Sequence, residues 1–533
     1  MSTVRGITVA VVITAVILAV HPGMRRQPWL YDEGNTVNAA WRVAEGQVLY
    51  RDLWTIHASG TPHLLALVFA VFGTTIVVER ALKLTLLGLL SVLGYACFRR
   101  FSSPLAAVTS VALGVGSRLD PVLLTSDTAL VATLAAVLAA SVVIGVGSTS
   151  IRLFVAGLVL GLTVWFRHDF GVYATAACTV TVALASWLDP RGDAHARRAA
   201  RPLVALWSGV AIPVLAMVSY FFARGALGSM VQQMIVFPVT TFASVRELPA
   251  PALSAVEDGL PFGLLFWLTP PTLIVGAGLA VLGLRRGASD APALLLVCLS
   301  GLFVFNYARV RADFVHLWPA LVLTIPVLVA LGTRACRSAF DRRRLLPGVV
   351  GGLVVAAVGA FGVVVTRAAA HTLTASPPAR LLDEIPGALP TAGVLLDSEL
   401  QQALLFLDAR LPAGAPVFVG NRRHDLIFIN CSLCYFLLRR PSPTRYYNLH
   451  PGVATTEAVQ REIVAQLEMK RVEWVLLWDP PAGGPLEPRQ ARGATDLDAY
   501  LTSNYESAAR YGRWEIRRRA SKSSASPDSS VRG

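Results

Sequence analysis

Residues 29–73 read WLYDEGNTVNAAWRVAEGQVLYRDLWTIHASGTPHLLALVFAVFG, and an apolar run from Ile7 to Val20 precedes them. Two adjacent carboxylates, Asp32 and Glu33, stand where the first apolar segment emerges into a long polar loop, and that loop leads straight into another apolar stretch. Within it Val37, Ala40, Trp41 and Ala44 recur at helical spacing, which predicts a short amphipathic helix lying in a membrane interface. Ionisable groups at membrane depth are costly, so Asp32 and Glu33 are functional candidates by default. Spacing alone gives equal weight to two solvated loop residues.

The rest of the chain fits a lipid-solvated protein. Of its 533 residues 54% are hydrophobic and 15% charged, with a mean hydropathy of +0.57, whereas soluble chains carry about 25% charged residues. A crossing needs about 20 apolar residues. Such runs fall near 6–21, 63–97, 104–117, 128–147, 151–166, 170–188, 203–223, 262–284, 291–307, 315–333 and 348–366. The expected fold is a polytopic α-helical membrane protein of about eleven transmembrane helices. Run 63–97 is long enough to hold a re-entrant or juxtamembrane piece before its crossing. No small-x-small cleavage site follows the first run, so it reads as a retained helix and not a signal peptide. The net charge of +14 does not indicate nucleic acid, because the basic residues form short clusters between apolar runs.

Those clusters orient the chain. FRRFSSP, DPRGDAHARRAARP, LRRGASDAP and RACRSAFDRRRLLP alternate with the acidic and aromatic pieces WLYDEGN, SRLDPVLLTSD, WFRHDFGVY, SVRELPAPALSAVEDGLP and VRADFVHLWP. The positive-inside rule puts the first set and the N-terminus in the cytoplasm of a bacterial inner membrane, with Arg25 and Arg26 running against it. Composition changes near residue 368, giving expected domains at 1–367 and 368–518 and a disordered end over 519–533. APVFVG, VEWVLLW and WEIRRR alternate with TTEAVQREIVAQLEMK and LDAYLTSNYESAARYG, which predicts a small α/β domain. An odd number of spans places it outside the membrane. Cys431 and Cys434 form a CxxC there, either a disulfide or two buried small hydrophobes. The second is favoured, because no further CxxC supports a zinc site.

The outer loops hold the remaining candidates. Asp120 and Asp127 lie in the second, where Asp127 directly precedes a span and is equally readable as a helix N-cap. Arg167, His168 and Asp169 come from WFRHDFG, and Arg309, Arg311, Asp313 and His316 from YARVRADFVHLWP. Arginine's planar fork suits phosphate oxygens, and snorkelling arginines paired with neighbouring aspartates are the alternative. His57 and His63 flank a turn of the first loop, where a structural role outweighs metal ligation. No Gly-rich phosphate loop, HExxH or Walker sequence occurs, which argues against nucleotide chemistry.

YDEG after the first span, GQVLYRDLWTIHASGTPHLLALVFAVFG leading into the next, and LDPVLLTSDTAL in the second outer loop resemble the GT-C glycosyltransferases. The resemblance is to the family 39 and protein-mannosyltransferase-like group, which includes aminoarabinose and galacturonic-acid transferases acting on lipid A. It covers about the first 190 residues, with HASGTPH departing from the proline-rich turn of many relatives. It implies an inverting transferase whose donor is a sugar on a polyprenyl phosphate and whose acceptor is an envelope glycan, lipid or protein. Asp32 would be the base, Glu33 its neighbour and Asp127 the second-loop acid. Asp120, Arg167, His168, Asp169, Arg309, Arg311, His316, His57 and His63 would contact substrate. A divalent cation between Asp32, Glu33 and Asp127 stays open, as carboxylates without known geometry do not choose. A transporter or flippase of lipid-linked sugars, or a non-catalytic envelope scaffold, is the rival. Charges clustered at span ends favour the enzyme over a transporter, which places them deep in several spans.

Overall fold

The computed structural model describes residues 28, 30–116, 133–134, 137–141, 149–188, 195–257 and 260–342, scattered positions between 349 and 367, and residues 396–426, 430–479 and 492–520. The expected span at 6–21, most of those at 128–147 and 348–366, Asp120, Asp127, the boundary at 368 and the tail from 521 lie outside these residues. The chain divides into two compact units, Met1–Leu395 and Leu396–Gly533.

The first unit is a polytopic helical membrane domain. Its helices are α1 (Asp32–Ala44), α2 (Gly60–Phe72), α3 (Ile76–Phe98), α4 (Pro104–Gly116), α5 (Ser150–Phe166), α6 (His168–Trp187), α7 (His195–Ala223), α8 (Phe262–Arg285), α9 (Ala291–Val310) and α10 (Phe314–Arg342). Among the described residues six helices, α3 and α6 to α10, are long and apolar enough to cross a membrane, and α2, α4 and α5 are shorter apolar helices. The run at 63–97 is two helices: Gly73, at φ +90°, ends α2, and the Thr75 hydroxyl caps α3 by accepting from the Val78 N–H at 3.3 Å.

Close packing uses small residues, as expected where lipid gives no hydrophobic drive between helices. A Cβ on Gly157 or Gly161, four apart on α5, would run into the α7 backbone at Leu206 and Val210. The core joins Leu84, Leu87 and Leu90 of α3 to Leu294 and Val297 of α9 and Trp318 and Leu323 of α10, and Trp318 donates its indole N–H to the Gly114 carbonyl of α4 at 2.9 Å. Leu67, Phe72, Val204, Trp207 and Ile274 are exposed on the outside of this bundle, a surface that hydrocarbon solvates and water does not.

The second unit is a small α/β domain. Its sheet has the order β1-β2-β4-β3, with β1 (Val417–Asn421) parallel to β2 (Trp474–Trp478) and β4 (Trp514–Arg519) antiparallel to both β2 and β3 (Tyr505–Tyr511). The continuous apolar runs of β1 and β2 are buried throughout. LDAYLTSNYESAARYG is split between a helix, Asp496–Asn504, and β3. β4 includes Arg519, so order extends into the residues expected to be disordered from 519. Cys431 and Cys434 are joined as a disulfide, which corrects the expectation of two free thiols: they straddle the start of a helix, Leu433–Leu438, in a turn where the Cys434 N–H donates to the Cys431 carbonyl at 3.3 Å.

Candidate active site

α1 is present where the apolar spacing predicted it, but it is enclosed by protein. Val37 and Ala40 are buried as expected, while Asn35, Asn38 and Arg42 are buried as well and Ala44 is exposed. A helix lying on a membrane surface would instead turn those polar groups to water.

Glu33 faces α3. Its carboxylate receives a two-pronged contact from Arg80, Nε to Oε1 at 2.7 Å and Nη2 to Oε2 at 3.0 Å, with the two side chains 0% and 4% exposed. One turn away Lys83 pairs with Glu79 at 3.0 Å, equally buried. Four charges thus cancel in pairs over the first two turns of α3, which is what permits their burial in an apolar bundle. Asp32, one residue earlier, is half-buried at the start of α1, and its carbonyl accepts from the Thr36 hydroxyl at 3.1 Å.

The loop from Glu45 to Ser59 is stapled to the segment that follows α7. Tyr50 is fully buried at φ +69°, an unfavourable conformation for a bulky residue. Gln233 holds it by donating to the Tyr50 carbonyl at 2.8 Å and accepting the Thr55 N–H at 2.9 Å, while the Tyr50 hydroxyl donates to the His57 carbonyl at 2.9 Å and lies 3.0 Å from the Met234 sulfur. Gln233 and Met234 belong to a π-helical turn, Gln232–Val236. Arg51 forks onto Asp52 and, against a burial effect of opposite sign, holds its carboxyl below the ordinary range. The His57 side chain is exposed. His63 is half-buried, its Nδ1 2.7 Å from the Ser59 carbonyl and its ring set against Trp165, Tyr220 and Phe221.

Gly60 brings α2 against the corner between α5 and α6: a Cβ there would lie 2.7 Å from the Trp165 carbonyl carbon. That corner is a single extended residue, Arg167. The Arg167 guanidinium forks onto Asp169 at 2.6 and 3.0 Å and sits over the rings of Phe170 at 4.5 Å and Tyr307 at 4.4 Å. Tyr307 in turn stacks near His316 at 4.2 Å, His316 Nδ1 lies 2.6 Å from Asp313, and Arg311 bonds the other Asp313 oxygen at 3.0 Å. WFRHDFG and YARVRADFVHLWP, 140 positions apart at Arg167 and Tyr307, therefore meet where the Arg167 guanidinium lies over the Tyr307 ring. Burial pushes the Asp313 carboxyl up, but His316 and Arg311 more than offset it and leave it below its ordinary value. Arg309 is exposed and bonds Asn306 at 3.0 Å, and His168 is half-buried beside Asp169.

No protein-family model matches the chain and no curated protein matches it. Solved structures do. ArnT from Cupriavidus metallidurans, in its apo state, superposes with a TM-score of 0.56 at 13% identity, over 97% of this chain and 98% of that one. The same protein bound to undecaprenyl phosphate gives 0.54, with the same identity and coverage. The oligosaccharyltransferase of Archaeoglobus fulgidus, tethered to an acceptor peptide, matches at 0.48 and 13% identity, over 89% of this chain and 69% of that one.

The chain has the GT-C fold. Within it, the residues that sequence reasoning missed are those that hold the acidic helix in place. Glu79, Arg80 and Lys83 interrupt an otherwise apolar run, VVERALKL, and charge inside an expected span was the available signal. Gln233 and Tyr307 carried none, since an amide and an aromatic near helix ends are ordinary. Among the described residues no group of three His, Cys, Asp or Glu is placed to hold a metal ion, and Glu33 is already engaged by Arg80. Asp127, the third acid considered for a divalent cation, lies outside the described residues.

Proposed function

We propose that this membrane protein is an inverting glycosyltransferase that moves a sugar from a polyprenyl-phosphate-linked donor to an envelope glycan, lipid or protein on the outer face of the membrane, with Asp32 as the base. The observation that carries this is the unequal placement of two adjacent acids. Glu33 is locked onto Arg80, whereas Asp32 is half-buried at the helix start, where an acceptor can approach. The acceptor oxygen attacks the anomeric carbon while its proton passes to the Asp32 carboxylate. The bond from that carbon to the phosphate oxygen breaks, its electron pair leaves with polyprenyl phosphate, and configuration inverts.

Negative charge growing on the departing phosphate calls for cations facing the same compartment. Arg309 and Arg311, beside the Arg167 corner, are assigned that task, with His168, Asp169, His316, His57 and His63 around the substrate path. Asp127 is retained as the acid that orients the acceptor, with Asp120 beside it in the same loop. Support comes from the fold shared with ArnT, one structure of which holds undecaprenyl phosphate, and from Gly60, which ties the acidic loop to the Arg167 corner. The N-terminus is assigned to the cytoplasm and the second unit to the outside. A periplasmic alkaline phosphatase fused after Thr372 should then be active and one fused after Arg344 silent, the reverse pattern placing the site on the wrong side.

The direct test is turnover. Purified protein given a polyprenyl-phosphate sugar and envelope glycans should release polyprenyl phosphate in step with glycan modification. Movement of the intact lipid-linked sugar between vesicle leaflets, with no release, would establish the flippase in its place.

A further inference from the structure

Between α7 and α8 lies a helical arm, Leu227–Arg246, that the reaction just described does not use. Ordinary turns alternate in it with π-helical ones, Gln232–Val236 and Pro238–Phe242, and no Asp, Glu, Lys or Arg occurs from Gly225 to Val245. An uncharged stretch of that length suggests a crossing, but both ends are tied to one face of the bundle. At the near end Arg51 of the acidic loop donates to the Arg224 carbonyl at 3.0 Å. At the far end Leu248 pairs with Arg311, and Glu257 accepts the Phe314 N–H at 3.0 Å. The arm therefore runs along that face, from the acidic loop to the Arg311 corner. Its inner side is covered: Met230, Gln233 and Met234 are buried, and Phe237 meets Trp54 edge-on at 5.5 Å. Its outer side is apolar and open, with Val231, Ile235 and Val239 38 to 78% exposed at intervals of four.

We infer that this outer stripe is seated in the acyl chains of the bilayer, and that the seated arm holds the acidic loop at a fixed depth; the inference depends on the membrane fold and not on the transferase reading. The stripe continues the lipid-facing surface at both ends. Phe222, in the last turn of α7, is exposed before it, and Leu264, Trp267 and Leu268 in the first turns of α8 are exposed after it. Trp267, whose indole donates to the Pro251 carbonyl at 2.9 Å, is the amphipathic ring that favours a membrane–water boundary. The exposed Arg224 at the join suits the same boundary. A free interfacial helix turns a charged face to water, whereas here the acidic loop covers that side and no charge is needed. The inner side of the arm carries Gln233, which bonds the Tyr50 carbonyl and the Thr55 N–H. Lipid on one side and the acidic loop on the other thus share a single helical element.

The test uses the full chain in nanodiscs of diacyl phospholipid with no polyprenyl lipid, carrying a nitroxide at Ile235→Cys or Val239→Cys. Leu215→Cys, exposed on α7, is the lipid control and Ala499→Cys, exposed on the second unit, the water control; the unsubstituted chain gives the background from Cys336. Both arm labels should collide with oxygen in preference to an aqueous nickel chelate, as at Leu215→Cys, with the order reversed at Ala499→Cys. A preference for the chelate would put the stripe in water and overturn the seat. Shielding from both reagents would put protein over it, with spin–spin broadening if that protein is a second copy, and would overturn the seat as well. A lipid pattern that appears only when polyprenyl phosphate is added would replace bilayer lipid by the prenyl chain. For the hold on the loop, Gln233→Leu should speed hydrogen exchange at the Thr55 amide by about tenfold, the effect of losing one hydrogen bond. Ile235→Glu with Val239→Glu, whose carboxylates are expelled from hydrocarbon, should speed it similarly from the far side of the arm. Unchanged exchange in the double variant would show that lipid does not hold the loop through the arm and would overturn that half of the inference.

Discussion

Glu33 with Arg80, and Arg311 with Asp313 and His316, are built from the same kinds of group but placed differently. The first pair is 0% and 4% exposed and is closed on both carboxylate oxygens. The second lies at a helix corner, with side chains 12 to 19% exposed, beside the exposed Arg309. In an apolar interior the enclosed pair cannot let either partner go, because the other would be left as an unmatched buried charge. At the corner, water and neighbouring groups soften that penalty, so an arginine there can exchange an aspartate for a phosphate. In the proposed transferase, enclosure separates the residue that fixes the site's shape from those assigned to substrate.

The largest effect expected from this contrast is at Arg80. Arg80→Met should destabilise the membrane unit by about 3 to 5 kcal/mol, the usual penalty for removing one partner of a buried pair, and Glu33→Gln in the same chain should restore part of it. Thermal unfolding in detergent reads both. A small loss from Arg80→Met alone would mean the pair is not enclosed as described. At the corner, Arg309→Ala or Arg311→Ala should weaken binding of a polyprenyl-phosphate lipid by roughly tenfold, the effect of losing a charge-assisted contact worth about 1.5 to 3 kcal/mol. Arg99→Ala, on the opposite side in the assigned topology, is the control, and equal effects from all three would reduce these arginines to topology signals.

Gly60→Ala sharpens the comparison by separating the two regions. Its methyl would press on the Trp165 backbone, so the variant should lose about 1 to 3 kcal/mol of stability and transfer sugar poorly even with both ion networks intact. An effect smaller than that would mean the contact is loose. Least affected is the pH response of the corner. The Asp313 carboxyl is held below its ordinary value in the folded protein, so its contribution is complete above the unfolded value of about 4 and is lost as pH falls below it. Asp313→Asn should flatten the acid side of the stability profile. An unchanged acid limb would show that Asp313 does not report the network.

The polytopic fold was legible in the spacing of apolar runs and arginine clusters, and Asp32 with Glu33 in their position after the first run. Their separate fates were not. Adjacent residues on a helix point about 100° apart, and only the partner decides which is enclosed: Arg80 is 47 positions from Glu33. The meeting of Arg167 with Tyr307 was hidden for the same reason, since helix packing brings corners together and local periodicity carries no record of it. The enclosure of α1 was misjudged because its apolar side predicts an interface helix, whereas Asn35, Asn38 and Arg42 are buried by tertiary packing. The CxxC was misjudged because its spacing fits a disulfide and two packed thiols equally well.

The central claim is that Asp32, and not Glu33, does the chemistry. Asp32→Asn and Glu33→Gln proteins should be compared with wild type for turnover of a polyprenyl-phosphate sugar and for thermal midpoint in the same detergent. Asn keeps the volume of Asp32 but removes the charge that draws the acceptor proton, so turnover should fall by about 10² to 10⁴ with the midpoint unchanged. Glu33→Gln should lower the midpoint, and turnover by less. Near-normal turnover by Asp32→Asn protein of wild-type stability would contradict the account.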